Sequence, residues 1–145
     1  MKRVLIAFVT ALLVGGATSV PAPAQTAGKL DGVWTTVSAE RDGKPADELK
    51  GHRLTFAGDM FVIQNEGKTI YKGTCKADPG KKPAQIDFTH TEGELKGKRW
   101  LGVYALEGDT LRIADNAPDM AKPRPAQLAT KTGSGHVLLV FKRVS

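Results

Sequence analysis

The sequence predicts an all-β domain, a small antiparallel sheet of eight to nine strands closed into a barrel. Short runs rich in Val, Ile, Thr, Phe, Tyr and Trp alternate with Gly, Asp, Asn and Pro clusters at the spacing of an antiparallel sandwich or barrel. Between those runs, Asp42-Gly43, Gly58-Asp59, Glu66-Gly67 and Gly108-Asp109 supply residues that tolerate positive φ, as tight hairpins require. Only Pro45 to Lys50 and Asn116 to Arg124 have room for a helical turn, and in the second Pro118 and Pro123 forbid anything longer.

The strands expected in order are 33–40, 52–57, 60–66, 69–77, 84–90, 99–107, 110–114, 126–130 and 136–144. Most neighbours should pair as hairpins, and either the first and last pair or one short run fails. Closure removes exposed sheet edges, which otherwise invite aggregation. Neither a repeat nor a linker interrupts the chain after residue 31, so residues 32–145 form one domain behind a short tether, 25–31.

The N-terminus has a different character. Lys2 and Arg3 precede an uncharged, mostly apolar run from Val4 to Val14, followed by small residues ending Ala22-Pro23-Ala24. That is the layout of a secretory signal peptide, residues 1–24, with an A-x-A site that leaves Gln25 as the mature N-terminus. The apolar run is too short to span a membrane comfortably, which takes about 20 residues. The expected compartment is therefore periplasmic or extracellular, with no stable membrane anchor after cleavage.

Removing Lys2 and Arg3 lowers the formal charge from +6 to +4. The basic residues are scattered, with tight groups only at Lys81-Lys82 and Lys96 to Arg99, which is not the stripe a nucleic-acid partner needs. Cys75 is the single cysteine, so a monomer, the expected state, has no internal disulfide. It shares a strand face with Thr69, Tyr71 and Gly73, opposite Lys72 and Lys76, and is read as a buried, inert thiol.

Gly32-Val33-Trp34 opens the first strand and Phe141-Lys142-Arg143 closes the last. Between them come Ser38-Ala39-Glu40-Arg41-Asp42-Gly43-Lys44-Pro45, Leu54-Thr55-Phe56-Ala57-Gly58-Asp59, Lys81-Lys82-Pro83-Ala84-Gln85-Ile86-Asp87, Tyr104-Ala105-Leu106-Glu107-Gly108-Asp109-Thr110-Leu111 and Lys122-Pro123-Arg124-Pro125. Taken together these motifs resemble an uncharacterised lipocalin-like domain family expanded in planctomycete bacteria. The resemblance covers nearly the whole mature chain and implies a small exported lipocalin-like barrel of no agreed activity. In the lipocalin signature the tryptophan of G-x-W sits at the closed end of the barrel and an arginine after the last strand covers it. A guanidinium over an indole is worth about 0.5–2 kcal/mol and ties the two termini of the sheet together. One departure is Ala114, where such domains often carry a cysteine.

The residues singled out are accordingly structural: Gly32, Trp34, Asp87, Asp109, Arg124, Pro125 and Arg143. Arg124, held between two prolines, suits a carboxylate partner such as Asp87 or Asp109. Asp87 alternates with Ile86 and Phe88, so it faces outward if they face the core. The three histidines do not converge: with strictly alternating strands, His52 and His90 fall at one rim and His136, at the start of a ninth strand, at the other. Neither H-x-H nor H-E-x-x-H spacing occurs, so no metal is expected. Ser38 and Ser134 lack a nucleophile elbow, and paired carboxylates for glycoside chemistry are missing. Neither a cofactor nor an enzymatic activity is expected.

The interior is the remaining candidate site. Leu54 or Phe56, Val62, Tyr71, Ile86, Phe88, Trp100, Tyr104, Leu111, Ile113, Leu138 and Val140 are available to line it. An eight-stranded barrel is just wide enough to be filled by its side chains or to admit one small ligand. Strand 99–107 is apolar on both faces, Trp100, Gly102, Tyr104 and Leu106 on one and Leu101, Val103 and Ala105 on the other. The expected function is thus a non-enzymatic binding module, for a small apolar or amphipathic ligand or for an envelope partner. The alternative is a protein-interaction or inhibitor module with a filled core, which an exposed apolar patch around 99–107 would favour.

Overall fold

The computed structural model describes residues 29–144. The expected signal peptide lies outside the described residues. Nine strands form one antiparallel sheet: β1 (Gly32–Arg41), β2 (Lys44–Pro45), β3 (Arg53–Ala57), β4 (Met60–Asn65), β5 (Lys68–Asp78), β6 (Ala84–His90), β7 (Arg99–Glu107), β8 (Thr110–Asp115) and β9 (Val137–Arg143). Each of β3 to β9 pairs with its sequence neighbour, β1 pairs with both β3 and β9, and the sheet closes. The result is an eight-stranded lipocalin-like barrel, with β2 as a two-residue extension on β1.

Turn chemistry works as the residue types dictate. Asp42 and Gly43 have φ of 52° and 79°, and Glu66 and Gly67 have 51° and 80°, the left-handed pair that matches the twist of a two-residue hairpin. The stretch after Pro45 makes one 3-10 turn, Asp47–Leu49.

Residues 126–130 are not a strand. They belong to a long irregular segment between β8 and β9 that lies across the outside of the barrel. Arg124 Nη1 binds Asp87 Oδ1 at 2.7 Å and donates to the Gly102 carbonyl at 2.8 Å, both on the outer side of β6 and β7. Farther along, Thr130 Oγ1 donates to a carboxylate oxygen of Glu40 on β1 and accepts from Gly43 N in the β1–β2 turn. Between those anchors Pro125 is buried, and so are Val103 and Ala114, which point away from the interior. The segment is therefore a strap that covers an apolar outer face. Prolines at 123 and 125 remove two ladder donors, so its backbone is held by side chains rather than by a strand pairing.

The missing strand moves His136. β9 is the eighth strand of the barrel, so its start lies at the same rim as the start of β3 and the end of β6. His52, His90 and His136 thus share one rim, contrary to the expectation from nine alternating strands.

Register fixes which side chains face inward. The row Leu54, Ile63, Tyr71 and the row Phe56, Phe61, Gly73, His90 point inside, as do Trp100, Gly102, Tyr104, Leu111, Ile113, Leu139 and Phe141. Val62, Leu138 and Val140, expected to line the interior, face outward instead. β4 and β9 are apolar on both faces, so alternation alone leaves their parity open.

The two ends of the barrel differ. One carries the tight turns at 58–59 and 108–109, and it is filled. Trp34, Phe61 and Leu111 are fully buried there, with Phe56 and Phe141 beside them. Leu30, expected to lie in a patternless tether, is 2% exposed and caps the same end. The other rim carries the connections 42–52, 66–67, 91–98 and 116–136.

Candidate functional site

At the closed end the first and last strands are tied by Arg143. Its guanidinium lies 4.2 Å from the centroid of the Trp34 ring, while Nη1 and Nη2 donate to the Asp31 and Lys29 carbonyls and Nε binds Asp109 Oδ1 at 3.2 Å. Gly32 makes room for it: a Cβ there, at φ 129°, would stand 3.2 Å from Arg143 Nη1. Trp34 Nε1 donates to the Leu30 carbonyl at 2.9 Å. The Trp34 N–H and all three guanidinium nitrogens of Arg143 have partners, which is the signature of a structural device. A broad, shallow hollow beside it, between Pro79, Ala84 and Leu106, opens to solvent.

The opposite rim encloses a cavity of about 390 Å³. Its floor is Tyr71, Trp100, Leu54 and Phe141, and Leu139, Ile63 and Thr36 form the wall. Leu49, Leu95, Pro118 and Met120, from three of the four rim connections, and Ile70 at the start of β5 form an apolar roof. The connections therefore present side chains to the cavity instead of simply turning the chain, and the bulge that shifts the β4–β5 register between Ile63 and Gln64 brings Ile70 to the mouth.

Polar groups at the cavity fall into two classes. Arg41, His52 and Arg53 stand near the mouth. Arg41 is held by Glu48 at 2.7 Å, and His52 Nδ1 is 2.9 Å from the Leu49 carbonyl. Asp115 and Trp100 form the second class. Asp115 is 3% exposed and its carboxyl is pushed up to about 7 by burial, against a smaller opposing contribution from the Ala117 N–H it accepts at 2.9 Å. Trp100 Nε1 is buried with no hydrogen-bond partner. His90, behind Trp100 with ring centroids 4.2 Å apart, has neither nitrogen paired, and burial pushes its pKa down, so the neutral ring sits among Phe61, Tyr71 and Trp100 as one more aromatic.

Asp87 and Arg124 are brought together, but outside the barrel and under the strap, so they line no cavity with a histidine. Among the described residues no three His, Cys, Asp or Glu side chains cluster tightly enough to hold a metal ion. Cys75 is half-buried against the core, and its thiol is pushed up to about 11 by burial and by Asp59 and Asp31, the opposite of what a nucleophile needs. The second apolar face of β7 is no exposed patch: Val103 is 1% exposed and the strap covers it. Asp115 escaped the sequence reading because it closes an ordinary Asp-Asn-Ala-Pro turn. The only signal was its position, directly after Ala114 and on the same strand face as the apolar Leu111 and Ile113.

Comparison with known proteins adds no relative. No family model matches the chain, and no curated protein and no solved structure matches it.

Proposed function

We propose that this protein is an exported, non-enzymatic binding module, released from its signal peptide after Ala24 into the periplasm or medium, that holds a small apolar or amphipathic ligand at the open end of its barrel. One observation carries this reading. The barrel's own side chains fill one end and leave about 390 Å³ at the other, lined mostly by apolar groups with a few polar ones, within the roughly 300–1,000 Å³ range of small-molecule sites. Apolar side chains that face such a volume lack half of the dispersion contacts that close packing supplies, and a ligand restores them. The similarity of the Gly32-Val33-Trp34 and Arg143 arrangement to the lipocalin signature supports the same class of function, and the family resemblance belongs to this proposal. Asp87 and Arg124, the charged residues singled out in the sequence, pair with each other away from the cavity, and the cavity's own polar groups, Arg41, His52, Arg53 and Asp115, serve binding in this reading. A protein-interaction module has less support, since the apolar face of β7 on which it depended is covered by the chain's own strap.

Native mass spectrometry of the mature protein purified from its own envelope fraction tests the proposal. A reproducible non-covalent mass that disappears on denaturation is the expected result. A bare polypeptide mass, with no thermal shift from lipids or other small hydrophobes, overturns it.

A further inference from the structure

Asp115 closes β8 in the inward row and lines the largely apolar cavity, and it takes part in none of the ion pairs formed among the described residues. The nearest basic side chain by register, Arg41, lies across Val137 in the same inward row and is engaged by Glu48. Directly across from Asp115 on β7 is Gly102, where a Cβ would come within 2.7 Å of the Ala114 carbonyl and 2.9 Å of Asp115 Cβ. A glycine is thus required for β7 and β8 to approach this closely beside Asp115. Two residues along the same face of β7 is Trp100, diagonal to Asp115 at the roughly 7–8 Å typical of such pairs. Its buried Nε1 has no acceptor and, being a donor only, offers an ammonium nothing, so the ring face is the part of Trp100 that a cation meets. Tyr71 and Phe141 complete the surroundings with aromatic rings.

A buried carboxylate is costly without a partner, and aromatic faces attract cations. We infer that the ligand is a small amine, a protonated primary or secondary ammonium on an apolar body, with the ammonium at Asp115 beside the Trp100 ring and the body against Leu139, Ile63 and Phe141. This deepens the proposed binding function and rests on it. The basic groups of the cavity do not compete for that position. Arg41 on β1 is satisfied by Glu48, His52 points one ring nitrogen at the Leu49 carbonyl, and Arg53 on β3 is exposed at the mouth. Val137 and Gly102, the cross-strand neighbours on β9 and β7, bring no charge.

Calorimetric titration of the mature protein at about pH 8, where Asp115 is mostly ionised and an alkylamine is protonated, with octylamine, 1-octanol and octanoate separates the possibilities. Octylamine is expected to bind at least about tenfold more tightly than octanol, as a charged hydrogen bond warrants, and octanoate most weakly. In Asp115→Asn, which keeps an acceptor for the Ala117 N–H, the preference for octylamine over octanol should collapse. Tightest binding of octanoate, or an amine preference that survives in the variant, overturns the amine assignment while octanol binding leaves the carrier reading standing. Binding of none of the three overturns both. The comparison of ligands on the wild-type protein decides even if the variant folds poorly.

Discussion

Two buried side chains at opposite ends of the barrel show how local environment separates structure from function. Trp34 has an acceptor for its indole N–H and a guanidinium on its face, whereas Asp115 has one backbone donor and no counter-charge for a carboxyl pushed up to about 7. The shift has a consequence for stability. A carboxyl whose folded pKa exceeds its unfolded value of 3.8 holds a proton that the unfolded chain releases. Its contribution to stability is complete below that value and is lost as pH rises through about 7. His90 acts in the opposite sense: its pKa is lowered by burial, so its contribution is present above the unfolded histidine value and is lost as pH falls. Asp115→Asn removes the first effect and keeps the second. Melting curves from about pH 5 to about pH 8 should therefore show the variant gaining on the wild-type protein as pH rises, by on the order of 2 kcal/mol or several degrees. A difference that stays flat would mean that Asp115 is not desolvated. Trp34 and Arg143 were readable from sequence because both ends of the signature are written in residue identity, whereas the burial of Asp115 depends on turns that fold over it.

At the scale of elements, the strap over residues 116–136 accounts for what the sequence left ambiguous. Alternation placed β1, β3, β5, β6 and β8 because polar or charged residues mark one face of each. It failed for β9, where Val137 to Phe141 are apolar throughout, and it produced a strand at 126–130 from a segment that covers an outer face instead of joining the sheet. A strap needs apolar residues on its lower side just as a strand does, and only pairing partners distinguish the two. Arg124 is its main fastener, with a carboxylate and the Gly102 carbonyl on one guanidinium nitrogen. Arg124→Ala should loosen the segment and expose Val103 and Ala114, destabilising the protein by roughly 1–3 kcal/mol. Limited trypsin digestion should then cut after Lys131, which Thr132 follows, well before any site within the strands, whereas Pro123 protects the bond after Lys122. Unchanged digestion would show that Pro125 and Thr130 hold the strap without it.

The barrel has unlike ends, one locked where the first and last strands meet and filled with aromatic side chains, the other open and roofed by three of its four connections and by Ile70 of β5. Composition and turn chemistry made the closed sheet legible, because strand count and hairpin spacing are local properties. The cavity was not legible: whether an eight-stranded barrel is filled depends on bulges and on how far the rim connections lean inward. The division into ends is what function rests on here, and the chain's two tryptophans report on it separately. Trp34 Nε1 is tied to the Leu30 carbonyl at the closed end, and Trp100 lines the cavity with its Nε1 unpartnered. Titrating 1-octanol into the isotopically labelled protein while following the two indole N–H resonances tests the central claim most directly. The account predicts that the Trp100 signal moves progressively to saturation while that of Trp34 stays in place; two stationary signals, or movement of Trp34 alone, would contradict it.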